Sequence, residues 1–230
     1  MQRHKILRSV AMILSIAVLA QPLWASKKQE TKVRSARWVY EELFGNQQEK
    51  IPAALMADTI CVAVFPGLVE AAFGFGGSHG TGVVSCRNDE GTWSPPSFVK
   101  LSEGSFGIQI GYKASDMVMF FVTEKATKIL LEKKTTFGGA LKYAAGPTGG
   151  QTGTTTDREL SSDIYIYVKS RGLFGGASLE GVRLGASPKA IRKYYGHYIW
   201  PGQILFDQDV PEMPAEAQEF VDGLNKQPWE

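Results

Sequence analysis

The chain has 230 residues, of which 43% are hydrophobic and 21% are charged, as is usual for a globular protein with a sizeable core. Lysine and arginine total 25 against 23 aspartates and glutamates, so the net charge at pH 7 is only +2. This balance excludes the strongly basic composition of many nucleic-acid-binding proteins, and we predict no nucleic-acid partner.

Residues 1–25 predict a cleavable signal peptide, because a positively charged N-terminal region is followed by a short hydrophobic region and then by a cleavage region with small residues. The run VAMILSIAVLA is too short to span a bilayer comfortably. Cleavage is expected after Ala25, with Ala20 as the alternative, and an uncleaved N-terminal anchor is the competing interpretation. No cysteine lies near the exit, so the sequence has no lipoprotein-processing site there. We therefore predict a periplasmic or secreted protein whose mature part, residues 26–230, forms a single domain.

The first predicted element of the domain is a helix from Lys27 to Phe44, ended by Gly45. At about 100° per residue its apolar side chains form one stripe, which consists of Val33, Ala36, Val39, Tyr40, Leu43 and Phe44. Trp38 projects about 140° away from Val33 and lies outside this stripe. Residues 51–58 predict a second, short helix with a proline in its first turn.

Two apolar segments then predict a pair of antiparallel strands. ICVAVF ends at Pro66-Gly67, and TGVVSCR follows the glycine-rich stretch FGFGGSHGTG. This pairing can place Cys61 opposite Cys86, because opposed residues of an antiparallel pair keep a constant sum. An exported chain enters an oxidising compartment, so a disulfide between them is one expectation. Two buried thiols on different faces are the other.

The rest of the chain predicts further strands at short intervals, namely SFVKL, SFGIQIGYK, DMVMFFVT, DIYIYVKS and GGASLEGVRLG. Helices are predicted for Glu124–Lys134, for SPKAIRKYYG and for 215–224, the last within a tail that starts at about residue 210. Residues 137–157 predict a long surface loop, at least in part. The predicted fold class is α+β, with a curved, glycine-rich, barrel-like antiparallel sheet packed against several helices.

The glycine-rich stretch also raises the question of catalysis. GGSHG matches the G-x-S-x-G pattern of a nucleophile elbow, with Ser78 as the nucleophile. That motif needs a helix after the serine, whereas TGVVSC resembles a strand, so a hairpin loop is the favoured prediction. A hydrolase centred on Ser78 stays an alternative. The phosphate-loop, dinucleotide and paired-cysteine metal motifs are missing from the sequence, and we predict no catalytic residue, no cofactor and no metal.

Five motifs are interpreted together because of the order in which they occur along the chain: AVFPGLVEAAFGFGGSHGTGVVSCR, GTWSPPSFVKLSEGSFGIQIG, AAGPTG, IYIYVKSRGLFGGASLEGVRL and KYYG. In this order they resemble the SYLF-domain family over roughly residues 32–205. Its members are described as lipid-binding and in some cases actin-binding. The resemblance implies a non-enzymatic membrane-binding module in which the glycines let strands bend and pack closely. With a signal peptide, the chain resembles a bacterial exported member, for which anionic phospholipid replaces the actin and phosphoinositides of eukaryotic relatives.

The resemblance also places the lipid-binding segment, because eukaryotic relatives use an amphipathic segment at the domain's N-terminus. Here that segment is the helix from Lys27, and its predicted lipid-binding residues are Lys27, Lys28, Lys32, Arg34, Arg37 and Trp38. The competing interpretation has the tryptophan packed on a neighbouring loop and the charges merely solvated. A second candidate function is an envelope structural or protein-interaction factor that uses the same surface.

Overall fold

The computed structural model of the protein describes residues 23–45, 51–73, 75–102, 110–136, 141–145, 161–170, 173–175 and 182–226. Most of the predicted signal peptide lies outside these residues. So do much of the predicted strand SFGIQIGYK and most of the predicted loop at 137–157. The fold is therefore described from the end of the predicted leader onward.

Helices lie at both ends of the described chain and between strands. Six α-helices are described, namely α1 (Leu23–Gly45), α2 (Ala53–Asp58), α3 (Glu124–Thr127), α4 (Pro188–Tyr195), α5 (Pro201–Leu205) and α6 (Ala215–Asn225). The predictions for α1, α2, α4 and α6 are confirmed, and α5 was not predicted. The helix predicted to reach Lys134 is shorter, because only a 3₁₀ turn at Lys128–Leu130 follows α3. Beyond that turn the carbonyl oxygen of Glu132 accepts a hydrogen bond from the Ala186 amide, which draws the backbone to the sheet.

Nine strands form one mixed sheet that curls into a half-barrel. They are β1 (Cys61–Phe73), β2 (Phe75–Cys86), β3 (Ser97–Ser102), β4 (Ile110–Phe121), β5 (Thr135–Thr136), β6 (Tyr143–Ala145), β7 (Ile164–Ser170), β8 (Leu173–Gly175) and β9 (Arg183–Ala186). Their order is β5-β9-β3-β2-β1-β4-β7-β6, with β8 paired to β7. The α+β prediction is confirmed, although β6 and β7 are parallel and the sheet is not purely antiparallel.

The sheet carries a hydrophobic core on each face, since successive side chains of a strand point to opposite sides. On β1, Val62 and Val64 join the cluster that includes the buried faces of α1, α4 and α6. The intervening Ala63 and Phe65 join a second cluster with the 3₁₀ turn. The same alternation on β7 puts its tyrosines in the first core and Ile164 and Ile166 in the second.

The predicted hairpin is confirmed, since Phe73 of β1 pairs with Phe75 of β2, but most of the glycine-rich stretch is strand and not loop. Most of it forms β2, which pairs with β1 on one side and β3 on the other. A Cβ atom built on Gly82 would lie 2.6 Å from ring atoms of the buried Phe65, and one on Gly80 would lie 2.6 Å from Leu68 Cδ1. Glycine fits at these two positions because side chains of the neighbouring strand occupy the space that a Cβ atom would enter.

The proline that was predicted to end the first strand instead marks a bulge within it. The register of β1 shifts between Val64 and Val69 against β2, and between Phe65 and Leu68 against β4. Gly67 sits in this bulge with φ of 61°, a left-handed conformation that glycine adopts without strain. The strand therefore continues past the bulge to Phe73.

The C-terminal region is integrated into the fold. Helix α6 packs against α1 and buries Ala217, Phe220 and Leu224 in the first core. Both ends of the described chain thus meet in one helical layer on the sheet.

Candidate functional site

Helix α1 separates a buried face from a solvent-exposed one. Val33, Ala36 and Leu43 have no exposed surface. At about 100° per residue the exposed residues Lys27, Thr31, Arg34 and Trp38 fall within a sector of about 60° on the opposite side. We call these four residues the exposed stripe. Trp38 is 74% exposed, so a large apolar ring projects into solvent beside two cationic side chains.

Arg37, in contrast, is paired with two carboxylates at the partly exposed surface of the domain. Its Nε atom donates to Glu41 Oε1 at 2.9 Å and its guanidinium also donates to Glu219 of α6 at 3.0 Å. The hydrogen bond with Glu41 raises the pKa of Arg37. Glu42 pairs with Lys169 of β7. By the same 100° rule Glu41 and Glu42 flank the exposed stripe beside Trp38, and each of them has a basic partner within the fold.

Lys32 holds α1 to the bulge of β1. Its Nζ atom donates to the carbonyl oxygen of Pro66 at 2.8 Å, and the next amide, Gly67 N–H, donates to Asp116 of β4 at 2.8 Å. Burial is the main cause that lowers the pKa of Lys32, and the positive charge of Lys28 lowers it further. Lys32 thus acts as a structural contact between helix and sheet.

The structure therefore divides the predicted lipid-binding residues. Lys27, Arg34 and Trp38 lie together on the exposed stripe, whereas Lys32 and Arg37 point to partners within the fold. Lys28 is exposed beside the stripe and borders a cavity of about 440 Å³. Lipid contact by any of these residues stays a prediction.

Three further lysines, which no sequence motif marks, share this cavity with Lys28. They are Lys100 on β3 and Lys189 and Lys193 on α4. We call the cavity lined by these four lysines and Gln29 the basic cavity. Its members come from three parts of the chain, so only the spacing of four residues between the two α4 lysines was visible in the sequence.

Cys61 and Cys86 are joined by a disulfide, the pairing that the sequence offered as one of two expectations. They face one another in the register of β1 and β2. Neither cysteine has exposed surface. The bond ties the start of β1 to the end of β2.

The nucleophile elbow that the hydrolase alternative requires is not formed at Ser78. Ser78 lies within β2, opposite Glu70 of β1, and the strand continues to Cys86 without the helix that a nucleophile elbow requires. His197 is exposed after α4. In the described segments, histidine, cysteine and acidic residues do not gather in threes that could hold a metal ion.

Among residues 23–45 and the later described segments, no helix has the length and apolar character needed to cross a bilayer.

Comparison with known proteins identifies the fold's relatives. Residues 102–227 match the Ysc84 family, described as "Las17-binding protein actin regulator". The chain is 33% identical over 208 residues to "SH3 domain-containing YSC84-like protein 1" of Rattus norvegicus, which covers 89% of this chain and 60% of the rat protein. It is 32% identical over 191 residues to "LAS seventeen-binding protein 3" of Saccharomyces cerevisiae, or 80% of this chain and 41% of the yeast protein.

The match covers more than half of the chain, and it agrees with the motifs that resemble SYLF domains. The chain spans only 60% or less of these relatives, so their names describe proteins with additional sequence. The family names describe binding and regulation. This chain belongs to the Ysc84 family of SYLF domains.

Proposed function

We propose that this chain is a non-enzymatic domain that binds anionic phospholipid surfaces through the exposed stripe of α1. We further propose that it acts as an exported, periplasmic or secreted protein of a bacterium. The observation that carries the first proposal is Trp38, which is 74% exposed on the same helix face as Lys27 and Arg34.

The stripe has the chemistry that a membrane interface recognises. Tryptophan is favoured at the headgroup level, where its ring is buried and its N–H stays hydrated. A lysine or arginine near an anionic surface adds about 1 kcal/mol each, and salt weakens this attraction. Because the opposite face of α1 is buried on the sheet, the helix meets the membrane as part of a folded domain.

The relatives' names suggest actin regulation and Las17 binding, and both belong to those proteins. An exported chain would not meet actin filaments. We therefore propose lipid binding for this chain and do not propose actin binding, which requires that the protein and actin share a compartment.

A vesicle sedimentation experiment tests the proposal. The parent protein should pellet with phosphatidylglycerol-containing vesicles more than with pure phosphatidylcholine vesicles. The variant Lys27→Glu/Arg34→Glu should lose most of this preference, and Trp38→Ala should weaken binding to both kinds of vesicle. Lys32 and Arg37 are left intact, because reversing them would break contacts inside the fold.

The matched control reverses two exposed lysines elsewhere, Lys128→Glu/Lys226→Glu, and should bind as the parent does. Far-ultraviolet circular dichroism checks that each variant is folded. Equal pelleting of the parent with both kinds of vesicle, or full binding by the stripe variant, would contradict the proposal.

A protein-interaction role is the second candidate, and a separate surface favours it. Tyr198, Trp200 and Phe206 are 43%, 51% and 40% exposed within the short segment that follows α4. Exposed aromatic side chains are enriched at protein interfaces. If cross-linking in whole cells captures a partner protein through this segment, and the parent protein does not bind vesicles, the protein-interaction role replaces phospholipid binding as the proposed function.

A further inference from the structure

The four lysines of the basic cavity carry charge that the described fold does not neutralise. None of them forms an ion pair with another described residue. No acidic residue is among the described residues that line the cavity. The nearby carboxylates Glu30, Glu212 and Glu216 line a different cavity, with the tyrosines of α4. Positive charge is therefore concentrated on the side of α4 that faces the basic cavity.

Gln29 adds an unpaired polar atom to the lining of this cavity. Gln29 is one of the residues that line the cavity, only 7% of it is exposed, and its Oε1 atom has no hydrogen-bond partner among the described residues. Buried polar atoms are nearly always hydrogen-bonded, because leaving one unpaired is unfavourable. The carboxamide can accept from a ligand hydroxyl, or after a half-turn of its terminal torsion donate an N–H to an oxyanion.

The start of helix α4 adds the Ser187 hydroxyl, whereas the amides of Ser187, Ala190 and Ile191 already donate to the carbonyl oxygens of Phe98 and Ser187. Ser187 precedes the helix and its side chain makes no capping hydrogen bond, while Pro188 occupies the first turn. Both residues line the basic cavity. The N-terminal end of a helix carries partial positive charge and suits an anion.

We propose that the basic cavity binds a phosphate group, held by Lys28, Lys100, Lys189 and Lys193 and hydrogen-bonded by Gln29. The phosphate comes from a lipid headgroup or from a free phosphorylated compound. In the first case this inference rests on the proposed function, and the cavity would hold one headgroup while the exposed stripe contacts the surrounding membrane. A volume of about 440 Å³ leaves room for a glycerol group beside the phosphate.

The experiment uses two soluble probes, inorganic phosphate and glycerol 3-phosphate, and the vesicles described above. The cavity variant is Lys189→Gln/Lys193→Gln, and Lys128→Gln/Lys226→Gln removes the same charge elsewhere as its matched control. Gln29→Met tests the buried carboxamide with a side chain of similar length. Isothermal titration calorimetry follows the soluble probes, and thermal unfolding checks the fold of each variant.

For the parent we expect saturable binding of glycerol 3-phosphate. The cavity variant should weaken it at least about tenfold, since two charge-assisted contacts are lost, and the control should match the parent. Gln29→Met should also weaken it while leaving thermal stability equal or higher, which a purely structural glutamine would not do. If the cavity variant also lowers vesicle binding, the headgroup is the source, and unchanged vesicle binding assigns the site to free phosphate.

The inference is overturned if the parent binds neither soluble probe and the cavity variant binds vesicles as the parent does. Failure of the proposed function gives a different result. In that case the parent protein does not bind either kind of vesicle, and calorimetry with the soluble probes still decides whether the cavity binds phosphate.

Discussion

At the scale of single residues, the structure explains why β2 carries glycine where it crosses β1. The prediction concerns Gly82→Ala, whose new methyl group would lie 2.6 Å from two ring atoms of Phe65. Phe65 has no exposed surface, so its ring has no free space to move into. We expect the free energy of unfolding to fall by about 1–3 kcal/mol, as for other overpacked cores.

Urea unfolding measures this change, and Gly45→Ala is the matched control. A Cβ atom on Gly45, the last residue of α1, meets nothing within 4 Å. The control should stay within about 0.5 kcal/mol of the parent. Equal stabilities of the two variants would show that the sheet relaxes around the new methyl group.

A second prediction at this scale concerns Tyr195, which is partly buried. Its hydroxyl donates to the carbonyl oxygen of Pro96 at 2.7 Å. Burial first, and then the charge of Glu216, raises the pKa of Tyr195 well above its ordinary value. The folded state therefore keeps this proton above pH 10, where the unfolded chain loses it. The stabilisation is complete below pH 10 and declines as pH rises further.

We expect Tyr195→Phe to lose about 0.5–1.5 kcal/mol at pH 8, the value of a typical hydrogen bond. Between pH 10 and 11 its free energy of unfolding should fall less steeply with pH than that of the parent. Tyr198→Phe, which changes a 43% exposed side chain, should keep the parent's slope. Parallel slopes for the parent and Tyr195→Phe would contradict the assignment.

At the scale of elements, α6 tests whether the C-terminal region is a tail or part of the core. Phe220 is 1% exposed and lies in the helical core with α1. We expect Phe220→Ala to lower the free energy of unfolding by about 3–5 kcal/mol, the range for buried phenylalanines. Phe206→Ala, which removes a 40% exposed ring, is the control and should change stability far less. If urea unfolding shows a loss of stability for Phe220→Ala as small as that for Phe206→Ala, α6 contributes little to the stability of the fold.

The elements that the sequence predicts well are those whose signals are local. The 3.6-residue period defined the buried face of α1, and Pro188 with Gly196 bracketed α4, where the glycine adopts φ of 80°. The glycine-rich first half of β2 has no alternation of apolar and polar residues, which is the local signal of a strand. Its strand conformation is evident only from its pairing with β1 and β3. The parallel pair of β6 and β7 joins segments separated by a long stretch of chain, and no local pattern encodes that contact.

At the scale of the whole molecule, the same distinction governs the candidate site. The outward direction of Trp38 followed from helix geometry. The partners of Lys32 and Arg37 did not, because Pro66 lies 34 residues from the lysine and Glu219 lies 182 residues from the arginine. The basic cavity also needs the folded sheet to bring Lys100 and α4 to the start of α1.

The Cys61–Cys86 disulfide links the stability of the whole molecule to its compartment. The bond closes a segment with a sequence separation of 25, and such closure stabilises a fold by about 3 kcal/mol because the unfolded chain loses freedom. We expect reduction to lower the melting temperature by about 6–12 °C for a chain of this size. The variant Cys61→Ala/Cys86→Ala should melt below the oxidised parent and should not respond to reductant.

Both cysteines are buried, so a reductant needs an opening of the sheet to reach the bond. Reduction is therefore done in denaturant before refolding, and thiol titration of unfolded, unreduced protein counts the free cysteines. Two reactive thiols would contradict the bridge. An oxidising compartment supplies the bond during folding, whereas the cytosol does not. Protein made in a reducing cytosol should therefore melt at the lower temperature until it is oxidised.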